Sequence, residues 1–208
     1  MMLAPAALLA LAIGTPPAFE QTDETRRMVE RLERVAIAVE DPTNLYANRT
    51  RVAAMTARLQ TVGGDARAER VSRFVLGMDH LRAGDTDEAI AAFERVLKLI
   101  EASPEPMPRN RRAATRYLAL AHLRRGEQEN CLARHSTESC IFPIAGSGVH
   151  ALPRGSRAAI DLFQTLLAED GDDLASRWLL NLAYQTLGEH PGCLLYTSPS
   201  PETEAYLV

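Results

Sequence analysis

Cys131, His135, Cys140 and His150 fall within one polar stretch, residues 127–154, which holds two of the three cysteines in the chain. Two thiolates and two imidazoles are a sufficient donor set for a tetrahedral zinc site or for copper. Their spacing matches no standard zinc module, and the Cys-x-x-Cys-His of a covalently attached haem is absent. The other chemistry open to this set is a disulfide between Cys131 and Cys140. Closing a loop of that size would contribute roughly 2–3 kcal/mol on the chain-entropy account. His135 and His150 could equally be hydrogen-bonded or solvated loop residues. The apolar run Ile141-Phe142-Pro143-Ile144 is expected to dock the stretch onto neighbouring helices. Gly146-Ser147-Gly148 reads as a flexible turn; no Gly-Lys-Ser/Thr follows that would make it a phosphate loop. No Gly-x-Ser-x-Gly or His-Glu-x-x-His set occurs, so the sequence offers no nucleophile or metalloprotease signature.

These residues must be held by helices. The chain has 208 residues, 46% apolar but only 5% aromatic. That balance favours small-residue helix packing over a β-sandwich, so the expected fold is all-α. A net charge of −4 gives no general attraction to nucleic acid. Residues 1–18 open with the apolar run MMLAPAALLALAIG, too short for a membrane span and of signal-peptide length. They are expected to be a leader that directs the protein to the periplasm or cell exterior, where a disulfide could form. Residues 22–64 read as two leading helices. Met28, Leu32, Val35 and Val39 form one stripe, and Val52, Met55, Leu59 and Val62 form another before Gly63-Gly64.

From residue 66 a pattern repeats. One helix carries Leu76-Gly77, a turn follows at Gly84-Asp85, and the next helix carries Ala89, Phe93 and Val96. Small residues at Gly77 and Ala89 let two helices approach, and Phe93 fills the space beside them. The second copy has Leu118-Ala119, a turn expected at Gly126, then Ala159, Phe163 and Leu166. Turn glycine to alanine spans 5 residues in the first copy (84 to 89) and 33 in the second (126 to 159), a 28-residue difference. A looser third copy has Trp178, Leu180, Asn181 and Tyr184 before Gly188.

This pattern resembles the tetratricopeptide repeat, which implies a right-handed α-solenoid of antiparallel helix pairs over residues 66–192, with residues 127–154 inserted in the second repeat. NCLARHSTESCIFPIAGSGVH (130–150) and ASRWLLNLAYQTLGEHP (175–191) are similar to the repeat region of secreted bacterial proteins that also carry FG-GAP β-propeller repeats and an ASPIC/UnbV domain. That resemblance implies a chain truncated at its C-terminus, with a propeller domain downstream, and implies no enzymatic activity. The run CLLYTSPSP resembles translated sequencing-adapter sequence, so residues 193–208 are expected to be non-native or a disordered tail.

Tetratricopeptide arrays bind peptides in the groove of their first helices. The resemblance places Phe74, Met78, Arg116, Leu120, Arg124, Trp178 and Leu182 there. Trp178 could stack on a partner or fill core space. Arg109, Arg111, Arg112, Arg116, Arg124 and Arg125 crowd one helix with no acid before Glu127. They read either as a patch for an acidic peptide or as a solvated face neutralised by neighbouring helices. The expected function is a protein-interaction module that binds a protein or peptide segment without nucleic acid, membrane span or cofactor. A metal- or cofactor-binding domain centred on Cys131, His135, Cys140 and His150 is the alternative.

Overall fold

The computed structural model describes residues 22–189. The leader expected at 1–18 and the tail expected at 193–208 lie outside the described residues. Among the described residues, 22–40 and 41–189 fall in separate units.

The first unit contributes α1 (Asp23–Val39), which starts where the Thr22 hydroxyl accepts the Thr25 N–H at 3.2 Å. Its stripe is as the sequence predicts, yet Met28, Leu32 and Val35 are each more than half exposed. No residue of α1 is buried.

The second unit comprises α2 (Asn48–Thr61), α3 (Ala66–Ala83), α4 (Thr86–Glu101), α5 (Pro108–Ala133), α6 (Arg154–Glu169) and α7 (Leu174–Thr186). No strand occurs among the described residues, so the fold is all-α. None of the described helices is long and apolar enough to cross a membrane. Each helix from α2 to α7 packs chiefly on its sequence neighbours, and α3 also touches α5.

Local chemistry sets the helix ends. Asp65 caps α3 by accepting the Arg67 and Ala68 N–H groups at 2.9 and 3.1 Å. Gly84 ends α3 at φ +84°, a conformation that favours glycine, and so permits the tight turn into α4. Pro108 opens α5, where its missing N–H costs no helical bond.

The core follows the predicted positions. Leu76, Ala89, Phe93 and Val96 are buried in the first copy, and Leu118, Ala119, Ala159, Phe163 and Leu166 in the second. Phe93 and Phe163 are both fully enclosed. Phe74, Phe93 and Tyr117 form an aromatic cluster joining α3, α4 and α5, with ring centroids 5.3–5.7 Å apart.

Candidate functional site

The predicted turn at Gly126 does not form: α5 runs on through it to Ala133. Gly126 serves a helix contact. A Cβ there would lie 3.2 Å from Ser156 N, and one at Gly155 would lie 2.5 Å from Gly126 N and 2.6 Å from His122 O. Bare backbone therefore meets bare backbone where α6 begins. The excursion between the α-helices shortens to residues 134–153, which hold two short 3-10 turns, and the thiol-bearing position Cys131 lies on the last turn of α5 rather than in a loop.

Asn130 anchors the excursion. Its amide gives Nδ2 to Leu152 O at 2.9 Å and accepts Leu152 N–H at 2.9 Å, while Nδ2 also reaches Gly126 O at 2.8 Å. A buried amide thus clasps the returning chain as a strand neighbour would. His150 adds a second fastening: its N–H bonds Thr186 O at 2.8 Å and its Nδ1 lies 3.1 Å from Ser156 Oγ. Burial pushes the His150 imidazole pKa down against the opposing charge of Glu127, favouring the neutral ring. The Ser156 hydroxyl also receives the Thr186 hydroxyl at 2.7 Å.

Gly146-Ser147-Gly148 is an ordered turn, in contrast to the flexible one expected. The Glu138 carboxylate accepts the Ser147 N–H at 2.6 Å and the Ser147 hydroxyl. Those bonds, the hydroxyl first, hold the Glu138 pKa below its ordinary value. A Cβ on Gly148 would sit 2.5 Å from Glu138 O, so the turn closes against backbone. The expected apolar docking by Ile141 and Phe142 does not occur: they are 61% and 60% exposed. Polar fastening by Asn130 and His150 takes its place.

Of the four candidate ligands, Cys131 and His135 come together, with Sγ 3.6 Å from Nδ1, and Cys131 is an exposed free thiol. Their four-residue spacing would put them on one helical face, but α5 ends at Ala133 and Arg134 leaves the helix at φ −159°, so the chain beyond the helix brings His135 to the thiol. His150 instead faces Ser156. The Cys140 side chain lies outside those described, so the pairing expected with Cys131 has no described geometry. Among the described residues, no three His, Cys, Asp or Glu side chains converge to hold a metal. A small cavity of about 50 Å³ lies between Cys131, Asn130, Arg134 and His150.

The predicted groove residues divide. Trp178 is 64% exposed on α7, while Met78, Leu120 and Leu182 are half-buried on α3, α5 and α7. Phe74 packs its ring edge-on to Phe93 and Tyr117, so it belongs partly to the core. Arg116 donates to Asp173 at 2.5 Å, and Arg124 pairs with Glu127 at 2.6 Å. The arginine run of α5 is mostly neutralised from other helices. Arg111 pairs with Glu169, Arg112 with Asp170 and Asp173, and Arg125 lies 3.6 Å from Asp87. Burial resists ionisation of Asp173, but the Ser176 hydroxyl and N–H and both guanidiniums outweigh it. Its carboxyl is held well below the usual range. Burial and the neighbouring Arg125 lower the His122 pKa to about 4, and its neutral ring accepts from Arg125 at 3.0 Å.

Sequence reasoning missed Asn130, Asp79 and Asp173. Asp79, 1% exposed, accepts from Arg51 at 2.9 Å and Arg82 at 3.0 Å, tying α2 to α3. A charged or amide residue placed at a core-facing helical position is the signal that could have found Asp79 and Asn130. Asp173 is signalled as a helix N-cap, three residues before Ser176.

No family model matches this chain, and no curated protein or solved structure is significantly similar to it.

Proposed function

We propose that this protein is an interaction module that binds a protein or peptide segment along α3, α5 and α7. Its helices are read as a tetratricopeptide-like, right-handed solenoid, with an insert in the second pair. Sequential packing from α2 to α7 and the matching burial of Phe93 and Phe163 support that reading. The observation that carries the function is Trp178, a large aromatic left 64% exposed. Exposed tryptophan is costly to hydrate and is favoured as a binding anchor. Met78, Leu120 and Leu182 supply further partly exposed apolar surface. The partner is a largely apolar segment, because Arg116 and Arg124 already have acidic partners. We read the protein as exported, from its apolar first residues, and as one part of a longer chain with a propeller domain.

Selection of displayed random peptides on the immobilised full chain tests this. Enriched peptides should bind the wild type and lose at least about tenfold in affinity with Trp178→Ala, at unchanged helicity. Failure to enrich any peptide, or equal binding by the variant, sinks the reading.

The contact between Cys131 and His135 favours a second reading for the insert alone: a thiol–imidazole pair that binds zinc or copper, or a Cys131 that is oxidised onto Cys140. Thiol titration before and after reduction, with elemental analysis of Cys131→Ser, separates these outcomes.

A further inference from the structure

We propose that the cavity between α3, α4 and α5 is a binding site for a carboxylate carried on one branched aliphatic or phenyl group, with Arg70 as its anion-holding residue. The cavity measures about 160 Å³ and is walled by Val71, Phe74, Val75 and Val96, with Arg70 and Asn110 as its polar lining. An apolar cavity of about 150 Å³ is known to take up benzene, so this volume suits one such group and no drug-sized molecule.

Arg70 supplies the second half of the recognition. Its Nε is removed from solvent and has no hydrogen-bond partner. Among the described residues no carboxylate pairs with Arg70, and the adjacent Glu69 is occupied by Arg73 at 2.7 Å and Arg95 at 3.1 Å. A buried donor of this kind is normally satisfied, and a guanidinium binds a carboxylate more strongly than a neutral acceptor. The mouth reinforces that sign. Asn110 lies in the first turn of α5, which has neither an acidic residue nor a side-chain cap. Apolar walls beside a guanidinium whose buried Nε lacks a partner select a ligand with both characters.

Two sources share this chemistry: a free acid, and the C-terminal residue of a polypeptide. The site touches the proposed interaction surface only through Phe74 and does not need that reading to hold. Titration of the full chain, followed by amide chemical shifts, would use 4-methylpentanoate, N-acetyl-leucine and N-acetyl-leucinamide. At least one acid should bind with a dissociation constant on the order of 0.1–1 mM and shift amides of α3 and α5. The amide should bind at least about tenfold more weakly. Stronger binding of N-acetyl-leucine than of 4-methylpentanoate assigns a C-terminal residue; the reverse order assigns a free acid. Arg70→Gln should weaken binding about tenfold, and Ala113→Leu, which fills the cavity, should abolish it. Trp178→Ala should leave it unchanged, which separates this site from the interaction surface. No saturation by either acid up to about 10 mM, equal affinity for acid and amide, or unchanged binding by Arg70→Gln would overturn the proposal.

Discussion

The α3–α4 and α5–α6 contacts use the same device at different tolerances. At Gly77 the missing side chain makes room for a ring: a Cβ there would lie 2.8 Å from two atoms of Phe93. At Gly155 the missing side chain makes room for another backbone, with Gly126 Cα and His122 O at 2.6 Å. A ring can shift within a core at some cost, whereas two helical backbones cannot part without unpacking everything between them. The tight turn at Gly84-Asp85 holds the first pair together locally. The second pair is separated by residues 134–153 and depends on its contact, and on Asn130, to be brought together.

Gly155→Ala should therefore cost the most, about 3 kcal/mol in urea unfolding or a failure to fold. A loss below about 1 kcal/mol would show that α5 and α6 can separate freely. Asn130→Ala comes next, at about 2 kcal/mol, because it leaves the Leu152 N–H and O without their partner. The same variant should become open to proteolysis within residues 134–153, while cleavage elsewhere stays at the wild-type rate. Gly77→Ala should lose only about 1 kcal/mol, since gained helix propensity offsets part of the clash. Combined with Phe93→Leu, its cost should fall below the sum of the two single variants. Additive losses would remove the ring from the account.

A further effect is electrostatic and separates the two contacts by pH. The folded-state pKa of His122, beside the α5–α6 contact, is lowered from 6.5 to about 4, so the unfolded chain takes up the proton first. Stability should fall as pH drops through that window, and His122→Gln should flatten the decline. The Asp173 pKa is also lowered, which for a carboxylate means stabilisation above its ordinary value of 3.8 that is lost in stronger acid. Asp173→Asn should remove that later loss. An unchanged profile between pH 6.5 and 4 in His122→Gln would mean that the ring is solvated.

The helices were legible because their small and aromatic core positions recur at helical spacing. Leu76, Gly77, Ala89 and Phe93 in one pair, and Ala119, Ala159 and Phe163 in the next, are buried as that spacing predicts. The turn at Gly126 was misread because glycine marks both chain reversal and close helix contact, and the sequence distinguishes them only through the partner, Gly155. The insert was misread because its apolar residues were given the task of docking, whereas the buried Asn130 amide and the half-buried His150 perform it. Arg116 and Arg124 were legible as a basic run. The carboxylate partner of Arg116 was not: Asp173 lies 57 residues away, so only the fold brings them together. The cavity at Arg70 left no sequence signal, because it is a gap between three helices.

Trp178 provides the most direct test of the interaction reading, because it is the single tryptophan of the chain. It is exposed, so its emission in the free protein should be red-shifted, and saturation with a selected peptide should move it to the blue and shield it from iodide. If such a peptide saturates the protein while emission and quenching of Trp178 stay unchanged, the surface along α3, α5 and α7 is not where this protein holds its partner.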